Sequence, residues 1–248
     1  MKNVVIIIPA RYASSRLPGK PLISIAGVPL IVRVYQRARQ IRKATEVLVA
    51  TDDERIAEVV RQHGGQAVQT PEDLPSGTDR VGWVARKMES EIVVNLQGDE
   101  PVVDVQAIDE AIEYMLKHPD TPVATLGFPL RDKTLWRDEH VVKVLTNQDH
   151  QALYFSRSPI PFFRDEPFRP VPVLFQHLGV YLFRRDFLLN YLEWEPSPLE
   201  QAEKLEQLRI LHHGYPIRVF PAAYPSVGVD TIDDVRKVEQ LLEREQFE

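Results

Sequence analysis

Apolar residues run unbroken from Val4 to Ile8 and stop at Pro9-Ala10-Arg11. A β-branched run without alternation predicts a strand buried on both faces, as in the parallel sheet of an α/β domain. The period then changes. Leu30, Ile31, Val34, Ala38 and Ile41 recur at helical spacing. EVLVATD (46–52) reads as a second buried strand, and DERIAEVVRQHGG (53–65) as a helix closed by Gly64-Gly65. Val81, Val84, Ala85 and Met88 mark the next helix, EIVVNLQGDEP (91–101) the next strand, and AIDEAIEYMLKH (107–118) a further helix. This βαβα rhythm predicts a parallel, doubly wound sheet.

The later part is more mixed. PVATLGF (122–128), HVVKVLT (140–146), FQHLGVYLF (175–183) and IRVFPAAY (217–224) read as strands. Between them Pro159, Pro161, Pro167, Pro170 and Pro172 exclude a central strand, so the stretch from Ser158 to Pro172 is expected to be a loop or a projecting edge. Ser197-Pro198-Leu199-Glu200 has a capping-box pattern that opens a helix reaching about His213, and a last helix starts at Thr231. The expectation is an α/β fold, a mostly parallel mixed sheet flanked by helices, in a single domain over residues 1–248.

Composition narrows the function classes. With 44% hydrophobic and 27% charged residues, the chain has the material for a sizeable core. A net charge of −6 argues against a nucleic-acid partner. No stretch approaches the ~20 apolar residues of a membrane span. Absence of Cys excludes disulfides, thiolate catalysis and Cys-type zinc sites. A cytoplasmic enzyme is expected.

Candidate chemistry falls at predicted strand ends, where α/β sheets bind ligands. The loop after the first strand carries Arg11, Arg16, Gly19 and Lys20 without a P-loop or G-x-G-x-x-G pattern. It is either a cradle for a polyphosphate or a solvated basic loop. Asn95-Leu96-Gln97-Gly98-Asp99 ends another strand, and Asp99 is either a turn residue or a carboxylate ligand for magnesium. Asp230 is either a helix N-cap or a second carboxylate on the same cation. On a continuous helix from 198 to 213, Glu206 falls inside an apolar arc formed by Leu199, Ala202, Leu205, Leu208 and Ile210. A carboxylate there needs a partner, a task or a route to the helix edge. Arg157, Arg164 and His177 lie near predicted strand ends. His177 reads more readily as structural than as a ligand, since no H-x-x-x-H spacing suggests zinc.

PARYASSRLPGKPL (9–22), SGTDR (76–80), NLQGDEP (95–101), HVVKVLT, ALYFSRSPIPF (152–162), HLGVY (177–181), SPLEQAEKLEQLR (197–209) and GVDTIDDV (228–235) occur together and in order. With them the chain resembles the 3-deoxy-manno-octulosonate cytidylyltransferases over nearly its whole length. The resemblance implies a Rossmann-like nucleotidyltransferase fold, magnesium dependence, and a homodimer with the Pro-rich segment as its projecting dimerisation element. It implies transfer of CMP from CTP to 3-deoxy-manno-octulosonate (KDO) with release of pyrophosphate, for lipopolysaccharide synthesis. It also implies roles. Pro9, Ala10, Arg11, Lys20, Ser76, Gly77 and Arg80 would hold the nucleotide, with Arg11 and Lys20 on its phosphates. Asp99 and Asp230 would hold magnesium, and these two with Arg11 and Lys20 would form the catalytic set. Gln97, Arg157, His177, Tyr181, Glu206 and Gln207 would line the sugar site. Leu182 and Ile232 stand where the family has a smaller residue and often Pro, respectively. Close alternatives are transfer to 8-amino-KDO or to sialic acid. More distant ones are a glycosyltransferase and a non-catalytic nucleotide sensor.

Overall fold

In this computed structural model, which describes residues 3–13, 17–164 and 167–245, every residue of the first strand, β1 (Val4–Ala10), is buried. Arg16 lies outside the described residues. Two compact units are distinguished, one made of residues up to Asp109 together with those from Ser226, the other of Glu110–Pro225.

In the first unit a small hairpin, β2 (Ser24–Ile25) and β3 (Val28–Pro29), leads into α1 (Leu30–Ala38). Next come β4 (Glu46–Thr51), α2 (Glu54–Gln62), β5 (Ala67–Gln69), α3 (Gly77–Ala85) and β6 (Ile92–Asn95), after which α4 (Val105–Lys117) carries the chain towards the second unit. Parallel pairings run β6–β1–β4–β5, with Ile7 opposite both Asn95 and Leu48. The register brings the ends of β1, β4 and β6 to the same edge, so the loops that follow them are neighbours. Asp53 caps α2 by accepting from the Arg55 amide, and Gly64, at φ 75°, ends it in the left-handed region.

The second unit is built on β7 (Val123–Pro129), with α5 (Lys133–Arg137), β8 (Lys143–Thr146), β9 (Ala152–Ser156), β10 (Leu174–Arg184), α6 (Arg185–Tyr191), α7 (Pro198–Glu203), α8 (Gln207–His212) and β11 (Ile217–Pro221). β10 pairs antiparallel with β7 and β8, β8 with β9, and β11 parallel with β7. A register shift interrupts β10 between Leu178 and Tyr181. The Pro-rich stretch from Ser158 holds no helix or strand among its described residues. Trp136 anchors it, donating its indole N–H to the Ile160 carbonyl at 2.9 Å and packing on Phe163 and Phe168. The chain then returns to the first unit in α9 (Ile232–Glu245). No described helix is long and apolar enough to cross a membrane.

One expectation is corrected, and one open alternative is decided. The helix expected from 198 to about 213 is two helices, broken at Lys204, whose φ of 55° and ψ of 47° are left-handed. Its N-terminal capping box forms as expected, between Ser197 and Glu200. Past the break the helical phase no longer carries over, so Glu206 is the N-cap of α8 rather than a polar intruder on one apolar face, and Ala202 is exposed. The cap of α9 is Thr231, not Asp230. The Asp234 amide donates to Thr231 Oγ1 at 3.3 Å, and Asp234 Oδ2 accepts from the Thr231 amide at 3.0 Å. Asp230 thereby keeps its carboxylate for other work.

Candidate active site

The loop after β1 brings Arg11 next to the end of the strand, where its guanidinium donates to the Leu74 carbonyl. Farther along, Lys20 opens a single 3-10 turn, Lys20–Leu22. Asp99 follows β6 through a turn closed by the Glu100 amide on the Gln97 carbonyl. Gly98 is required in that turn, because a Cβ there would stand 2.6 Å from the Pro9 carbonyl oxygen. The neighbour that fills the space at this glycine is β1 itself. The loop before α9 is tied to the same place by the Val229 amide, which donates to the Asp99 carbonyl at 2.9 Å.

These loops converge. Lys20 Nζ lies 2.6 Å from Asp99 Oδ2 and 2.9 Å from Asp230 Oδ1. Burial of the ammonium opposes its charge, but the charge and hydrogen bond of Asp99, followed by those of Asp230, outweigh it and raise the Lys20 pKa above the usual lysine range. A cavity of about 400 Å³ opens here, lined by Pro9, Ala10, Arg11, Lys20, Gln97, Asp99 and Asp230, with Ala13, Pro21 and Gly98. Two carboxylates aimed at one point of positive charge form a hard oxygen donor set. That set suits magnesium, which takes one or two carboxylates and completes its shell with phosphates and water.

Ser76, Gly77 and Arg80 are not among the residues that line this cavity. Ser76 caps α3 with Asp79 as its capping-box partner, and a Cβ on Gly77 would lie 3.4 Å from the Pro9 ring. Arg80 is fully buried. It pairs with Asp52 at 2.8 Å and also bonds Thr70 and the Pro71 carbonyl, so its side chain braces the framework. An adjoining cavity of about 410 Å³, lined by Arg11, Tyr12, Asp52, Asp53, Arg55 and Glu72 among others, was not anticipated. The signal was present, since TDD (51–53) also ends a predicted strand.

The other candidates belong to the second unit, apart from Gln97. Arg157 follows β9. His177 and Tyr181 flank the shift in β10, with ring centroids 5.3 Å apart. The His177 Nε2 lies 3.0 Å from Thr125 Oγ1, and its edge meets Phe155. Desolvation pushes the imidazole down to about 3, so it is neutral at pH 7. The Glu206 carbonyl accepts from the Tyr191 hydroxyl at 3.3 Å. Gln207 is 4% exposed, and its amide nitrogen has no hydrogen-bond partner among the described residues. Glu203, which the sequence reading passed over, accepts from Ser156 Oγ at 2.6 Å and from the Arg157 amide at 2.9 Å.

Comparison with known proteins fits this arrangement. A family model described as Cytidylyltransferase matches residues 5–218. A solved structure described as CMP:2-keto-3-deoxy-manno-octonic acid synthetase complexed with CTP superposes with a TM-score of 0.92, at 45% identity and covering 98% of this chain and 100% of that one. The fold is that of the α/β nucleotidyltransferases. A 3-deoxy-manno-octulosonate cytidylyltransferase of Geobacter sulfurreducens is 47% identical over 97% of this chain and 99% of its own. An 8-amino-3,8-dideoxy-manno-octulosonate cytidylyltransferase of Shewanella sp. (strain ANA-3) is 45% identical over 97% and 98%. This chain belongs to the 3-deoxy-manno-octulosonate cytidylyltransferase family.

Proposed function

We propose that the protein transfers CMP from CTP to KDO, releasing pyrophosphate and forming CMP-KDO, the activated sugar for lipopolysaccharide synthesis in the cytoplasm. The observation that carries this reading is the meeting of Asp99 and Asp230, far apart in the chain, at the ammonium of Lys20 inside a cavity lined by the basic loop. The reading takes residues 1–248 as a single nucleotidyltransferase domain that works as a homodimer. Phe162, 85% exposed in the Pro-rich segment, is apolar surface that such an interface would cover.

The anomeric oxygen of the sugar attacks the α-phosphorus in line. The P–O bond to the β-phosphate breaks, its electrons leave with pyrophosphate, and the hydroxyl proton passes to solvent. No covalent enzyme intermediate is required, in keeping with a chain that has no Cys. Arg11 and Lys20 supply positive charge for the departing phosphates, and positioning with charge stabilisation provides most of the rate. Asp99 and Asp230 would hold magnesium, which when bound would withdraw charge from the α-phosphate. Pro9, Ala10, Ser76, Gly77 and Arg80 shape the nucleotide subsite, and Gln97 adds an amide to its wall. Arg157 receives the sugar carboxylate through its planar fork. His177, Tyr181, Glu206 and Gln207 line the sugar subsite, where the unpartnered Gln207 amide is a ready donor to a hydroxyl.

Transfer to 8-amino-KDO is the second reading, favoured by a relative with that activity in its name at nearly the same identity. Pyrophosphate release from CTP, measured in parallel with KDO, 8-amino-KDO and sialic acid, separates the substrates. No pyrophosphate with any of the three would defeat the assignment.

A further inference from the structure

Arg157 is held at both backbone ends and along its side chain. Its amide donates to Glu203 Oε2 at 2.9 Å, and its carbonyl accepts from Lys143 Nζ. Its Nε donates to the Glu203 carbonyl at 2.9 Å and its Nη1 to the Glu139 carbonyl at 3.1 Å. The Glu203 carbonyl is available because the chain breaks at Lys204; in a continuous helix it would accept from the amide of residue 207. The other carboxylate oxygen of Glu203 accepts from Ser156 Oγ at 2.6 Å, which fixes the end of β9.

Lys143 is the second anchor. It is fully buried, a costly place for an ammonium unless every hydrogen is satisfied. Besides the Arg157 carbonyl, Nζ donates to the carbonyls of Asp138 at 2.8 Å and Val141 at 2.7 Å, which saturates its donors. One buried cation thus pins Arg157 together with the 138–141 loop, and Glu139 of that loop holds the far end of the same guanidinium. The remaining N–H donors of Arg157 are left for a ligand carboxylate.

We propose that Glu203 and Lys143 are positioning residues for the sugar substrate, presetting the fork of Arg157 for a carboxylate. The inference rests on Arg157 being the receptor of that carboxylate. Glu203→Gln removes the charge and replaces one of the two acceptor oxygens with a donor, so either the Arg157 amide loses its acceptor or the Ser156 hydroxyl must turn round to accept, and both contacts weaken. The expected result is an increase of about tenfold in the KM for KDO, with kcat and the KM for CTP nearly unchanged. Arg157→Ala raises the same KM by a similar factor, and the double variant is no worse than Arg157→Ala alone, because the positioned group is already gone. The Arg157 Nε–H signal in nitrogen-15 NMR, assigned by its disappearance in Arg157→Lys, exchanges slowly with water in the parent and rapidly in Glu203→Gln. Lys143→Met gives the same KM pattern if it folds; Glu203→Gln and the NMR signal decide the matter otherwise. A normal KDO KM in Glu203→Gln beside a raised one in Arg157→Ala overturns the positioning role alone. Multiplying effects in the double variant, or an equal rise in the CTP KM, overturn it as well. A normal KDO KM in Arg157→Ala removes the reading of Arg157 on which the proposal stands.

Discussion

The two units handle charge in opposite ways. In the first, Lys20, Asp99 and Asp230 stand at loop ends with side chains 13%, 33% and 48% exposed. In the second, Lys143 is fully buried on backbone carbonyls, and Glu203 and Arg157 close a network around it. Partly exposed ion pairs contribute only ~0–1 kcal/mol each, so their members can exchange partners for a ligand at small cost. Buried charges with saturated hydrogen bonds cannot, since loss of one partner costs ~3–5 kcal/mol. The first arrangement suits a site that takes in charged phosphates and a cation and releases them each turnover. The second suits a rigid receptor whose geometry must be present before the substrate arrives.

The sharpest way to break this comparison is at Asp99. Asp99→Asn removes one charge from the carboxylate pair, and turnover is expected to fall by about 10²-fold or more. Its melting temperature should hardly change, because the pair with Lys20 is partly exposed. Parent-like turnover at saturating CTP and magnesium would remove Asp99 from the catalytic set. Gly98→Ala tests the frame under that carboxylate. The new methyl group would meet the Pro9 carbonyl at 2.6 Å, between two backbones that cannot easily part. A loss of ~1–3 kcal/mol is expected from such overpacking, seen by calorimetry as a drop of several degrees. An unchanged melting temperature would mean that the turn shifts freely.

Legibility in the sequence differs between the units for the same physical reason. In a parallel sheet both the buried runs and the ligand-binding ends are local features, so VVIIIPA, EVLVATD and NLQGD could be read as strands ending in chemistry. β5, three residues long and partly exposed, gave too short a pattern to notice, as did the two-residue strands β2 and β3. In the second unit the site depends on interruptions. The shift in β10 beside His177 and Tyr181 has no periodic signature, and the Lys204 break defeated a helical wheel that assumed continuity from Leu199 to Ile210. Glu203 passed unnoticed because its partners, Ser156 and Arg157, are distant in sequence and lie at the end of β9, a strand the hydrophobic pattern did not single out. The pattern singled out Arg157, His177 and Glu206 without a role; family resemblance gave them one and alone named Tyr181 and Gln207. Asp230 was ambiguous until Thr231 was seen to do the capping.

Arg157→Ala sharpens the comparison from the receptor side. An increase of about tenfold in the KM for KDO, with the CTP KM unchanged, is expected from loss of a charge-assisted bond. Initial-rate kinetics with each substrate varied in turn checks the split, and an unaltered KDO KM would count against the pairing.

The smallest expected effect concerns the half-buried His177, where framework and proposed sugar lining coincide. Its imidazole titrates near pH 6.5 in the unfolded chain and only at about 3 in the folded one. Between those values the unfolded state binds the extra proton, so this residue makes stability rise with pH across that window. Above about 6.5 both states are neutral and its contribution to the slope vanishes. His177→Gln keeps a polar group beside Thr125 but cannot titrate. Chemical denaturation at a series of pH values should therefore give the variant a flatter profile below about 6.5 and a parallel one above it. Identical slopes for parent and variant throughout the acid range would mean that water reaches the ring well enough to protonate it in the folded protein. The second unit's framework would then be less dry than the lowered His177 pKa indicates, and the contrast with the exposed charges of the first would narrow.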